Sequence, residues 1–181
     1  MARVHTIRIE PLTADAFAPF GTLIDVGDRA PDYVGASGTQ GWHVAFESGR
    51  PLVSVLRTPY QGLRFRTMER HFHVSQAFIP LGGEHAAVAV APPSADREGV
   101  PQLDAIRAFL LDGSKGYVLH KGTWHSLDRF PLRPADTRFV MLTDHETQTD
   151  LMAAYGAGKP AALTQEVDLE RVFGATIELV A

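Results

Sequence analysis

The chain contains no cysteine. That excludes a disulfide framework, a thiolate metal site and a cysteine nucleophile, so any metal must be held by histidine, carboxylate or amide. No run approaches the ~18 consecutive apolar residues of a transmembrane helix, so no membrane partner is expected. The first twelve residues, MARVHTIRIEPL, lack the apolar stretch of a secretory signal. A cytoplasmic protein is therefore expected. Positive charge is short as well: 17 basic against 21 acidic residues leave a formal net charge of −4. Nucleic acid is disfavoured as a partner, because neutralising phosphates needs a basic surface. Only Lys115, Lys121 and Lys159 are lysines, and the remaining basic residues are arginines, whose planar fork suits a carboxylate. No repeat of fixed period is present.

What is present reads as one globular domain spanning 1–181, at 45% hydrophobic and 21% charged. Twelve prolines and sixteen glycines punctuate short apolar runs such as VHTIRI, PLVSVLR, SQAFIPL, HAAVAVAP, GYVLH and TRFVMLTD. Short β-branched and aromatic runs between turn residues predict an all-β barrel or sandwich with one or two short helices. Thr13 is the expected N-cap of a short helix ending at Gly21, and 150–156 could hold one or two helical turns. Residues 103–110 fit helix or strand, with the segment from Arg107 to Asp112-Gly113 closer to a strand ending in a turn. Segments 27–41 and 92–101 read as long loops. The run Ala86–Val90 is apolar on both faces, so it belongs at the centre of the barrel or in a subunit contact.

The chemistry concentrates in Met68-Glu69-Arg70-His71-Phe72-His73-Val74-Ser75-Gln76. On a strand, Glu69, His71 and His73 share one face. Two imidazoles at i and i+2 can hold one metal, and neutral imidazole suits Zn, Fe, Ni or Cu over Mg or Ca. Gln76 has the wrong parity and joins them only if a turn or bulge intervenes. About fifty residues on, Gly116-Tyr-Val-Leu-His120-Lys121-Gly122-Thr123-Trp124-His125 runs from a strand through a glycine turn to another histidine. Three histidines with one open position form a usual catalytic metal set.

These two segments resemble the two motifs of the cupin superfamily. His71, His73 and Gln76 match the first, with Gln76 where Glu is usual, and His120-Lys-Gly122-Thr-Trp-His125 matches the second, with His120 where Pro is usual. The run from Glu69-Arg70-His71 to Ser75-Gln76-Ala77-Phe78-Ile79-Pro80-Leu81 is similar to the ureidoglycolate lyase family. So are Ile106-Arg107-Ala108-Phe109 and the His120–His125 segment, and Arg57 falls where that family has an arginine. The likeness covers roughly residues 6–145 and departs at 27–41 and 147–165, which look longer.

The resemblance implies an RmlC-like cupin barrel, usually a homodimer. It also implies cleavage of (S)-ureidoglycolate to glyoxylate and urea in the breakdown of allantoin. That reaction needs a base for the hydroxyl proton, an acid or metal at the departing nitrogen and a cation for the carboxylate. Glu69, His120 and Lys121 are the expected catalytic groups. Arg57, Gln76 and Trp124 are expected to bind the small-molecule substrate. His71, His73, Gln76 and His125 are expected to hold a divalent transition metal (Ni, Mn, Zn or Fe). The same residues also suit another metal-dependent cupin enzyme acting on a small carboxylate, a dioxygenase or isomerase, or a non-catalytic cupin that binds such an acid.

Overall fold

The computed structural model describes residues 2–181. The first half of the chain forms β1 (Arg3–Glu10), α1 (Ala14–Phe17), β2 (Gly21–Ile24), β3 (Tyr33–Val34), β4 (Gln40–Gly41), β5 (Pro51–Pro59), β6 (Arg64–Phe65), β7 (Thr67–His71), β8 (Gln76–Gly83) and β9 (Ala86–Ala91). There follow β10 (Arg107–Leu111), β11 (Gly116–Leu119), β12 (Trp124–Ser126), β13 (Phe130–Pro131) and β14 (Asp136–Asp144). The chain closes with α2 (His145–Ala157), β15 (Thr164–Asp168), α3 (Leu169–Phe173) and β16 (Ala175–Val180).

A nine-stranded sheet runs β15-β7-β12-β9-β10-β1-β16-β6, with β13 also on β9, and a five-stranded sheet runs β2-β11-β8-β14-β5. β1 is parallel to both β10 and β16. The two sheets curve into a half-barrel, the cupin-type all-β architecture with short helices that the sequence motifs imply.

The period of two along β9 explains how the sheets are glued. Ala86, Val88 and Val90 point between the sheets and pack with Phe17, Phe78, Phe109, Tyr117 and Phe139. Ala87, Ala89 and Ala91 point to the other face and pack with Met68, Trp124, Leu169 and Ile177. All six residues are fully buried, so the run apolar on both faces is central. Phe17 closes one end of the interior against Phe109 and Tyr117, at ring-centroid distances of 5.4 and 5.5 Å. Its helix starts where expected, since Thr13 Oγ1 accepts from the Ala16 N–H.

Elsewhere local pattern underdetermined the helices. α2 is 13 residues long and is capped by Asp144, whose carboxylate accepts from the Thr147 N–H at 2.7 Å. Its inward residues Thr147, Leu151 and Ala154 keep helical spacing, but the surrounding polar residues hide the pattern. The loop at 27–41 contains the small β3–β4 hairpin. The 92–101 loop is pinned from beneath, where the Arg70 guanidinium donates to the Asp96 and Arg97 carbonyls at 2.7 and 3.0 Å.

Candidate metal centre

Strand alternation on β7 turns Glu69 and His71 into the space between the sheets and Met68 and Arg70 to the opposite face. His125 on β12 lies directly opposite Glu69 in the antiparallel ladder. A donor atom from each of Glu69, His71 and His125 comes within 4.8 Å of the other two. All three residues are buried. Glu69 Oε1 lies 3.8 Å from His71 Nε2 and 3.9 Å from His125 Nδ1.

Neighbouring groups set the tautomers. His71 Nδ1 meets Thr164 Oγ1 at 2.8 Å, and its Nε2 faces the Gln76 amide at 3.2 Å. Thr164 is supplied by β15, which pairs with β7 in a register that sets it opposite His71. His125 Nδ1 is 3.1 Å from the Ser126 carbonyl, an acceptor only, so Nδ1 carries the hydrogen. His125 Nε2 then keeps a free lone pair, and it has no hydrogen-bond partner. Gln76 Oε1 is likewise buried and unpartnered. Orphaned acceptors of this kind are expected where a ligand or ion completes the site.

Burial dominates the electrostatics. It lifts the Glu69 carboxyl to about 7, against a smaller opposing pull from Arg129. It drives His71 down to about 4 and His125 well below its ordinary value, with Arg129 adding to both. The imidazoles are therefore neutral, the state in which they ligate metals. Two neutral imidazoles and a carboxylate could hold a divalent transition ion, and this donor set fits it.

Other expected residues lie elsewhere. His73 is not part of the cluster. β7 ends at His71, the chain bends at Phe72–His73, and His73 is exposed. The bend at Phe72–His73 resets the parity, and the following segment, with the Ser75 N–H donating to the Glu47 carbonyl at 2.8 Å, brings Gln76 back inward. Arg57 is not at the wall of the cavity. It projects from β5, its side chain is 73% exposed, and its Nε donates to Asp136 Oδ2 at 2.6 Å. Trp124 alternates with His125 and so faces the other side of the sheet, fully buried. There its Nε1 donates to Ser94 Oγ at 2.8 Å, and the Arg70 guanidinium lies 4.6 Å from its ring centroid. Lys121 turns away to Glu47 Oε2 at 2.7 Å. His120 stands at the rim of the cleft, exposed, with Nε2 3.5 Å from Thr22 Oγ1.

The cleft over the cluster is tight, with no room for a free water molecule, and is lined by His71, Val74, Gln76, Leu119, His120, Thr123 and His125. Gly122 shapes it: φ of 78° lets the chain turn between His120 and His125, and its N–H donates to the His71 carbonyl at 2.8 Å. A larger cavity, about 630 Å³, lies between α2, β15 and residues 158–162 and touches the cluster through Thr164. Its size does not make it the reactive centre, because the neutral imidazoles and the unpartnered acceptors belong to the smaller cleft. Thr164 and Arg129 are site residues that the sequence did not flag. Neither sits in a motif, and only the sheet register and the course of the loop after β12 bring them in.

Residues 4–159 match the family described as ureidoglycolate lyase. A protein of that name from Burkholderia cepacia is 39% identical over 134 residues, 69% of this chain and 73% of the relative. One from Pseudomonas aeruginosa (strain LESB58) is 36% identical over 130 residues, 67% of this chain and 75% of the relative. A third, from Burkholderia mallei (strain NCTC 10229), is 40% identical over 132 residues, covering 67% and 74%.

Proposed function

The chain belongs to the ureidoglycolate lyase family, and we propose that the buried Glu69–His71–His125 centre is where it cleaves ureidoglycolate to glyoxylate and urea. The enzyme is a lyase of purine nitrogen catabolism on this reading. In the reaction the substrate hydroxyl loses its proton, the carbon–nitrogen bond breaks, the aldehyde of glyoxylate forms and the ureido nitrogen gains a proton as urea leaves. Atoms and charge balance without water or an oxidant.

Glu69, His71 and His125 would hold a divalent ion, which would supply the positive charge that acidifies the substrate hydroxyl. The chain's own residues account for the rest. Gln76 Oε1, free and facing the cleft, accepts from a ureido N–H and orients the leaving group. Thr164 holds the His71 ring in one tautomer. His120 at the rim is the group placed to return a proton to the departing nitrogen. Val74 and Leu119, the buried apolar residues lining the cleft, help keep water from it.

The observation that carries this reading is the pair of neutral, buried imidazoles facing a carboxylate in a chain that matches the family over 4–159. Purified protein is incubated with (S)-ureidoglycolate, with and without Ni, Mn, Zn or Fe, and urea and glyoxylate are quantified beside a known lyase. Release of both products in equal amounts is expected. Silence with every metal, while the reference enzyme turns over, refutes the assignment.

The same reading takes 1–181 as one cupin-like domain, with β16 tying the C-terminal segment to β1. It takes the chain as a cytoplasmic homodimer. No helix among the described residues is long and apolar enough to cross a membrane. The outer face of the five-stranded sheet exposes Val53 and Val55 on β5 and Ile79 and Leu81 on β8, the two strands that flank β14, an apolar surface suited to a second copy. Sedimentation of wild type and Val55→Lys tests the dimer, which the lysine should dissociate. A monomeric wild type would refute it.

A further inference from the structure

With Arg57 committed to Asp136 on the outer face, the acid substrate still requires a cation inside the barrel. We propose that Arg129 is that cation, and that its guanidinium binds the substrate carboxylate beside the Glu69–His71–His125 centre. The proposal rests on the lyase reading for the identity of the acid, though not for the existence of an anion site.

Arg129 is 3% exposed, and it forms no ion pair among the described residues. Its Nε donates to the Tyr117 hydroxyl at 2.8 Å, and its Nη1 donates to the Ser126 and Leu127 carbonyls at 3.1 and 3.2 Å. These acceptors are all neutral. Nη2 is buried and has no partner. The guanidinium carbon lies 3.6 Å from the centroid of the Phe78 ring, so one face rests on apolar surface. Burying a cation in such surroundings without a carboxylate in direct contact is costly, and the cost falls when an anion meets the free N–H. Two nitrogens fixed by the protein and one left open describe a preorganised donor, and the orphaned Nη2 marks the point at which a ligand is missing.

Its position relative to the metal centre follows from shared neighbours. The Ser126 carbonyl accepts from both Arg129 Nη1 and His125 Nδ1, so the guanidinium and the imidazole meet at one oxygen. Phe78, beneath the guanidinium, is two residues from Gln76 on β8, and the Gln76 amide contacts His71. The positive charge is also felt at Glu69, His71 and His125. The unpartnered atoms left once His125 Nε2 is reserved for the ion form a complementary pair: Arg129 Nη2 is a donor and Gln76 Oε1 an acceptor. A small 2-hydroxy acid bearing an N–H supplies one anionic acceptor and one donor, which matches that pair.

The test uses the full-length protein with glyoxylate and oxalate as probes, titrated by calorimetry and thermal shift, and ureidoglycolate for kinetics. Arg129→Met and Arg129→Lys are compared with Arg57→Ala, and metal content is measured for each. Wild type should bind both acids. Arg129→Met should weaken that binding by about 30-fold or more with metal content unchanged. Arg129→Lys should raise KM by about ten-fold or more and change kcat far less. Arg57→Ala should match wild type in both. A folded Arg129→Met that binds the acids as wild type does overturns the proposal. Should that variant fail to fold, unchanged KM and unchanged acid binding in Arg129→Lys overturn it instead. Arginine-dependent acid binding without release of urea would leave the anion site standing and remove the lyase reading. Urea release with KM insensitive to Arg129→Lys would do the reverse.

Discussion

Glu69 and His125 stand opposite each other across the β7–β12 ladder, with Glu69 Oε1 3.9 Å from His125 Nδ1. Directly opposed residues on one sheet face are as close as the backbone permits. The pairing therefore forces a carboxylate and an imidazole together in a space that excludes water. That enforced contact assembles the donor set, and its burial gives the centre its response to pH.

Removing donors should separate the cluster from its neighbour in sequence. His71→Ala or His125→Ala should abolish stoichiometric metal binding, measured by elemental analysis after dialysis. His73→Ala should leave it intact, because His73 is exposed and outside the cluster. Metal loss in His73→Ala would contradict the site described.

Glu69 gives the metal-free protein a defined pH dependence. Its carboxyl rises from 4.5 to about 7 on folding, so the native state binds its proton more tightly than the unfolded chain does. Stability attributable to Glu69 is then fully present below pH 4.5 and declines as pH climbs through about 7, by about 3 kcal/mol in all. Glu69→Gln should be more stable than wild type at pH 8 without metal, with the gap closing towards pH 5 in urea denaturation. His71 works in the opposite sense, because its folded value falls from 6.5 to about 4 and stability is lost as pH drops through that window. Adding the metal should reverse the order of wild type and Glu69→Gln at pH 8.

Thr164 acts on the centre through His71. Thr164→Val keeps the shape and deletes the hydroxyl that meets Nδ1 at 2.8 Å. Metal affinity should fall by about 10–100-fold, read by competition with a chromogenic chelator, with little change in the fold. Unchanged affinity would show that the ring is held by packing alone.

Arg57 and Phe17 serve as contrasting controls. Arg57→Ala removes an exposed ion pair and should cost at most about 1 kcal/mol. Phe17→Ala opens a fully buried aromatic position and should cost about 3–5 kcal/mol in chemical denaturation. Phe17 lies among the apolar residues of the interior and outside the donor cluster, so metal stoichiometry should survive its loss.

Much of the architecture is legible in the linear chain. Short alternating runs specify strands, Thr13 caps a helix, and the β9 run has to be central or in a subunit contact because neither face tolerates water, a choice its full burial within the chain settles. These features depend on neighbours within a few residues, where backbone geometry sets the periodicity. The requirement that a turn precede Gln76 was likewise readable from its parity, and the bend at Phe72–His73 supplies that turn. The same bend sends His73 outward, and no local pattern announces where a strand stops. Nor does any local pattern place α2, whose inward residues are too few among polar ones to stand out.

The amino-acid order by itself determined the β class, the family likeness and which segments bring imidazoles and carboxylate to one barrel. Only the tertiary structure decided that Arg57 meets Asp136 outside while Arg129 lies inside with Nη2 unpartnered, and that Thr164 orients His71. Strand periodicity is a local property of the backbone and survives in sequence. The partner of a charged group is set by sheet register and by the course of loops between distant strands, and those come into being only when the chain has closed on itself.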